Sequence, residues 1–140
     1  MERTKANLRA IRETVGLSQS DLAALVGVSV TAVKQWERPD GWNPPEDVYD
    51  TIECALIEHD EAVNATIYTV ERTMRELGEM PRVTLPWWRS QAQYDAMGRD
   101  AGFYGVVNAR SRDAATRLRA MGCDVEFIAP EERGPESFLP

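Results

Sequence analysis

The side chains that could support covalent, redox or metal chemistry are few: one histidine, His59, and two cysteines, Cys54 and Cys123. A metal centre needs several such ligands at short spacing, and neither C-x-x-C nor H-E-x-x-H occurs, so no metal and no cofactor is expected. There is no phosphate-cradling P-loop and no G-x-S-x-G elbow. A Ser-His-Asp arrangement would have to use His59, which falls on an apolar helical face and reads as a core or interface histidine. Cys54 reads as a buried small hydrophobe. Carboxylates crowd residues 46–61, but a solvated acidic face accounts for them. The chain is therefore expected not to be an enzyme. What remains is a run of amides, hydroxyls and cations at close spacing: Ser29, Thr31, Lys34, Gln35 and Arg38, with Gln19 before it and Asn43 after it. Such side chains offer hydrogen bonds to polar or anionic partners.

Several short elements must position that run. Leu8, Ile11 and Val15 recur at spacings of three and four, which predicts an amphipathic helix over 6–15, ended by Gly16. Ser18 is an N-cap candidate, with Asp21 three residues on where its charge suits a helix N-terminus. Leu22, Ala23, Leu25 and Val26 make a second short helix, stopped by Gly27. Ser29 is a second N-cap, and it opens a third helix that carries Val33 and Trp36 inward. Pro39-Asp40-Gly41 and Pro44-Pro45 bracket a loop.

The segment Gln19–Arg38 (QSDLAALVGVSVTAVKQWER) resembles a helix-turn-helix of the Cro/CI (XRE) type, and the resemblance covers about residues 5–60. Ala23 is the small residue that lets two short helices cross closely. Gly27 tolerates the positive φ of the sharp turn. Val33 and Trp36, with Leu22, Val26 and Val28, fall where the pair buries itself. Leu8, Ile11, Val15, Leu17, Val48 and Ile52 would complete that core. The resemblance implies that the helix 29–37 enters the major groove of double-stranded DNA. It makes Ser29, Val30, Thr31, Lys34 and Gln35 the groove-facing set and Gln19 a phosphate clamp, with Arg38 and Asn43 as further phosphate contacts. One lysine is little positive charge for a recognition helix, so specific binding is expected to need a homodimer on a palindromic operator. The expected function is transcription regulation, as a repressor.

The charge distribution agrees. The 140 residues carry a net charge of −7, with 43% hydrophobic and 28% charged residues, which is ordinary globular composition and unlike a nonspecific nucleic-acid coat. The acidity sits in residues 46–81, whose ten acids face two arginines, while the first 45 residues are close to neutral. The N-terminus shows no export signal and no apolar run approaches membrane-spanning length, so a cytoplasmic protein is expected.

Residues 46–78 predict one long helix, or two meeting near Glu58–Asp60. Its apolar series Ile52, Leu56, His59, Val63, Ile67, Val70, Met74, Leu77 suits packing within the chain or a homodimer seam. Beyond it, Val83–Leu85 and Val125–Ile128 read as short strands, with helices over about 90–97 and 104–121 between them. Arg110, Arg112, Arg117 and Arg119 on the second of these are expected to pair with the acids of 46–81, or else to bind phosphate. Adjacent Trp87 and Trp88 should point opposite ways, one into the core and one towards a partner. That pair supports an alternative function, a protein-interaction module such as an antitoxin or adaptor. The fold class expected is mainly α: a Cro/CI-like bundle (1–60), then a long helix and a small α+β unit with two short strands (61–128), then a loose tail (129–140).

Overall fold

The computed structural model describes residues 1–97 and 100–130, so most of the expected tail and part of the loop at 98–102 lie outside the described residues. The chain divides into two compact units, Met1–Glu58 and the residues from His59 onward.

The first unit contains α1 (Lys5–Val15), α2 (Gln19–Val26), α3 (Val30–Glu37) and the first turns of α4 (Glu46–Leu77). Local chemistry sets its boundaries. Thr4 caps α1 by accepting from the Asn7 N–H at 3.1 Å. Ser18 and Asp21 form a reciprocal capping box on α2, at 3.0 and 2.9 Å. Ser29 caps α3 by accepting from the Ala32 N–H at 3.2 Å. Between α2 and α3, Gly27 has φ +73, a conformation that would strain any residue with a Cβ. Leu8, Leu22, Val33 and Ile52 are wholly buried at the centre of this unit. Each contributes about 1.5–3 kcal/mol of burial. Ala23, Trp36 and Val48 are buried with them. Two expected core residues are not: Val26 is half-buried and Val28 is exposed. They flank the Gly27 turn, where the chain reverses and neighbours cover only part of each side chain.

Charge closes one side of this unit. Arg3 reaches Glu53 at 2.9 Å and Asp50 at 2.6 Å, and it also pairs with Glu46. Those acids lie at i, i+4 and i+7 on α4, so they share one helical face. The contacts, with Glu53 first, push the Arg3 guanidinium well above its ordinary pKa.

The second unit begins within α4, which runs unbroken to Leu77 rather than as two helices. It continues through β1 (Val83–Pro86), α5 (Gln91–Ala96), α6 (Tyr104–Ala120) and β2 (Val125–Ile128). The strands pair in parallel, Val83 opposite Val125 and Leu85 opposite Phe127. A parallel pair needs a crossover, and α5 and α6 supply it. β1 runs one residue beyond the expected Val83–Leu85, ending at Pro86 opposite Ile128. Val63, Ile67 and Val70 of α4 join Leu118 of α6 and the inward strand residues in one apolar cluster. These seam positions are therefore filled by the chain itself, whereas Leu77 is exposed.

Further expectations are corrected here. Cys54 is exposed, and it is Cys123 that is buried. Burial pushes the Cys123 thiol above its usual pKa. Among the described residues, Arg110, Arg117 and Arg119 make none of the expected ion pairs with the acids of 46–81. Arg117 donates to Asn64 Oδ1 at 2.6 Å, Arg112 pairs with Asp113 at 3.3 Å, and Arg119 lies over the Phe127 ring at 5.5 Å. Arg110 Nε is buried without a hydrogen-bond partner among the described residues. The Asn64 amide, not an acid, is thus the Arg117 partner on α4. His59 is buried, and its Nε2 meets Asp113 Oδ2 at 2.7 Å, while Nδ1 has no partner among the described residues.

Trp88 is buried, and Trp87 is partly exposed. The alternation of an extended segment thus separates the two side chains as expected, but it removes Trp88 as a partner contact. The Asn108 side chain holds the Trp88 backbone from both sides, accepting from its N–H and donating to its carbonyl, each at 2.8 Å. Tyr94 packs edge-on against the Trp88 ring with centroids 4.8 Å apart. Ser90 caps α5 by accepting from the Gln93 N–H at 3.1 Å, and the Gln93 amide oxygen accepts from the Arg89 N–H at 2.8 Å.

Candidate nucleic-acid interface

Helix α3 has two chemically distinct sides. Val33 and Trp36 are buried, three residues apart on the face that meets the rest of the unit. Ser29, Thr31 and Lys34 are exposed, and Val30 and Gln35 are half-buried. The structure thus brings the five expected groove-facing residues together on one short helix, with none of them withdrawn into the core. Among the described residues Lys34 makes no ion pair, and the Ser29 hydroxyl retains a proton to donate while its oxygen caps the helix.

Of the outlying candidates, Gln19 is half-buried at the first position of α2, where its amide donates to Glu37 Oε1 at 3.3 Å. Arg38 caps α3 and is held by Asp40, with both contacts at 3.3 Å. Asn43 is exposed in the following loop. A phosphate contact by Arg38 would require it to give up Asp40, a modest cost because both side chains stand largely in solvent.

Two features that hold this surface rigid escaped the sequence reading. The first is an ion pair inside the unit. Arg12 Nε meets Glu37 Oε2 at 2.6 Å, and Nη2 meets Oε1 at 2.9 Å. The third guanidinium nitrogen, Nη1, donates to the Leu17 carbonyl at 2.9 Å. Both charged side chains are more than nine-tenths buried. This bidentate fork joins α1 to the end of α3 and fixes the rotation of the exposed strip. A signal was present: Arg12 stands four residues after Leu8 and Glu37 four after Val33, both on apolar stripes where a charge is out of place.

The second feature is Lys5. Its ammonium donates to the carbonyls of Gln35 (3.4 Å), Trp36 (3.0 Å) and Gly41 (3.2 Å), and also to that of Trp42. A cation at the C-terminal end of α3 satisfies carbonyls that the helix leaves open and complements its dipole. Nothing in the sequence links Lys5 with residues thirty or more positions away.

Among the described residues no group of three His, Cys, Asp or Glu side chains is placed to hold a metal ion. No described helix is long and apolar enough to cross a membrane. No curated protein matches the chain. A helix-turn-helix family model matches residues 8–38, so the segment holding α2, the Gly27 turn and the exposed strip of α3 is a helix-turn-helix of the Cro/CI (XRE) type.

Proposed function

We propose that the chain is a cytoplasmic, non-catalytic, sequence-specific DNA-binding regulator, a repressor that occupies a palindromic operator as a homodimer. The observation that carries this reading is the exposed strip Ser29–Thr31–Lys34 with Gln35, set over the buried Val33 and Trp36 inside a helix-turn-helix segment. In this reading α3 lies in the major groove. The Gln35 amide pairs with adenine, Thr31 or Val30 meets a thymine methyl, and Lys34 reaches guanine or a phosphate. Gln19, Arg38 and Asn43 set the register through the backbone. The cations are few, so a single copy binds weakly, and two-fold symmetry doubles the contacts. Selection from random duplexes followed by salt titration tests the proposal. It expects an enriched palindrome, and Gln35→Ala should relax preference at one base pair by about 1–3 kcal/mol. Recovery of no enriched duplex at low salt would falsify it.

A second reading, the protein-interaction module, is favoured by one observation. Trp87 and Phe127 are both partly exposed, with ring centroids 5.3 Å apart, and with Arg89 they line an open groove of about 410 Å³. An antitoxin or adaptor would grip its partner there. The proteins encoded beside this chain are the probes: loss of their capture in Trp87→Ala supports the reading, and unchanged capture removes it.

A further inference from the structure

Trp42 is the most exposed large hydrophobic among the described residues, at 62% of its surface. It belongs to the loop that follows α3, and that loop is fastened to the helix in two ways. Lys5 draws the Gly41 and Trp42 carbonyls onto the same ammonium that holds the last carbonyls of α3. Gly41 lies so close to α3 that a Cβ there would collide with the Gln35 carbonyl and come within 3.0 Å of the Gln35 side-chain Oε1. Only glycine permits that approach. The next Cα is one peptide step away, which puts the Trp42 backbone within roughly 8 Å of the Gln35 amide.

This proximity has a consequence that rests on the DNA reading proposed above. If Gln35 reaches a base edge, a side chain anchored so near it meets the wall of the major groove, which is about 12 Å wide. That wall is deoxyribose and phosphate. An indole suits it, with an apolar face for the sugar and one N–H donor for a phosphate oxygen. We propose that Trp42 is a DNA-contact residue, a rigid aromatic buttress on the sugar-phosphate wall beside Gln35, and that Lys5 and Gly41 are the positioning residues that hold it there. Its contribution is sequence-independent, because it touches no base edge. It is also independent of salt, because a neutral indole displaces no counterion.

The test uses the full chain and its selected duplex. Trp42→Ala is expected to weaken binding about tenfold on the selected duplex and equally on single-base variants of it. The slope of log affinity against log salt should stay unchanged, whereas Lys34→Ala should reduce that slope by about one. Trp42→Phe keeps the ring face and should recover most of the loss. Indole emission should change on adding duplex to the parent chain, and that change should largely disappear in Trp42→Phe. An unchanged thermal midpoint in both variants shows that the surface substitution leaves the fold intact. Trp42→Ala binding within twofold of the parent, or a loss confined to one base pair, overturns the assignment while leaving the DNA reading in place. A parent chain that binds no duplex overturns both.

Discussion

The centre of Met1–Glu58 is crossed by a buried ion pair, Arg12–Glu37, and its helix starts are fixed by Thr4, Ser18 and Ser29. The unit from His59 onward has an apolar centre in which Val63 and Ile67 meet Leu118, and the N-cap residue of α6, Phe103, offers that helix no side-chain cap. One unit spends directional contacts on the orientation of a small exposed helix. The other sets its directional contacts, such as the Asn108 side chain on the Trp88 backbone, beside a wholly apolar cluster and a parallel strand pair joined across some forty residues. Reading base edges requires a helix fixed in rotation, and a fork of two hydrogen bonds fixes rotation where apolar packing alone permits adjustment.

The largest effect that would break this contrast is at the ion pair. Glu37→Gln leaves the Arg12 charge buried without its counter-charge and should cost about 3–5 kcal/mol in chemical denaturation. Replacing both partners with apolar residues, Arg12→Met with Glu37→Leu, should restore most of that stability but not the DNA specificity. A single-variant cost below about 1 kcal/mol would make the first unit as dependent on apolar burial as the second.

Next comes Leu118→Ala at the centre of the second cluster. The side chain is wholly buried, so the loss should be about 2–5 kcal/mol, read as reduced amide-exchange protection in α6. Smaller is Ser29→Ala, which removes the cap on α3 and should cost about 1 kcal/mol of thermal stability. The same substitution should lower DNA affinity, because the frayed turn is the one that presents Thr31 to the duplex.

The smallest effect is a titration. Arg9 donates to Glu13 at 3.0 Å and holds the Glu13 carboxyl below its ordinary pKa, with Arg12 a lesser influence. A depressed folded pKa gives stability that is present above the unfolded value and is lost as pH falls through the folded one. The Glu13 carboxyl resonance should therefore titrate below the usual range of about 4.3, and Arg9→Ala should return it there. Both groups are exposed, so the pH dependence of unfolding should barely move.

Most of the first unit was legible because its signals are local. A capping serine, a glycine at the turn and apolar residues at spacings of three and four act over a few residues, and each one specified a boundary that α1, α2 and α3 adopt. The same locality explains the misses. Val28 looked like core because pattern reading assigns a face but cannot tell how far the neighbouring helices extend over a turn. Cys54 looked buried because small hydrophobes commonly are, yet on α4 it lies on a solvent face. The partners of the α6 arginines were misjudged because segment net charge carries no information about which α4 face meets α6.

Residue order alone determined the helix starts and stops, the glycine turn, the division of Trp87 from Trp88 and the polar strip on α3, since backbone conformation and helical periodicity are properties of neighbours along the chain. Tertiary structure decided the Arg12–Glu37 fork, the four carbonyls gathered by Lys5, the close approach of Gly41 to Gln35 and the parallel pairing of β1 with β2. Each joins residues separated by loops or whole helices, and such contacts form only when packing brings them together, so no local pattern encodes them.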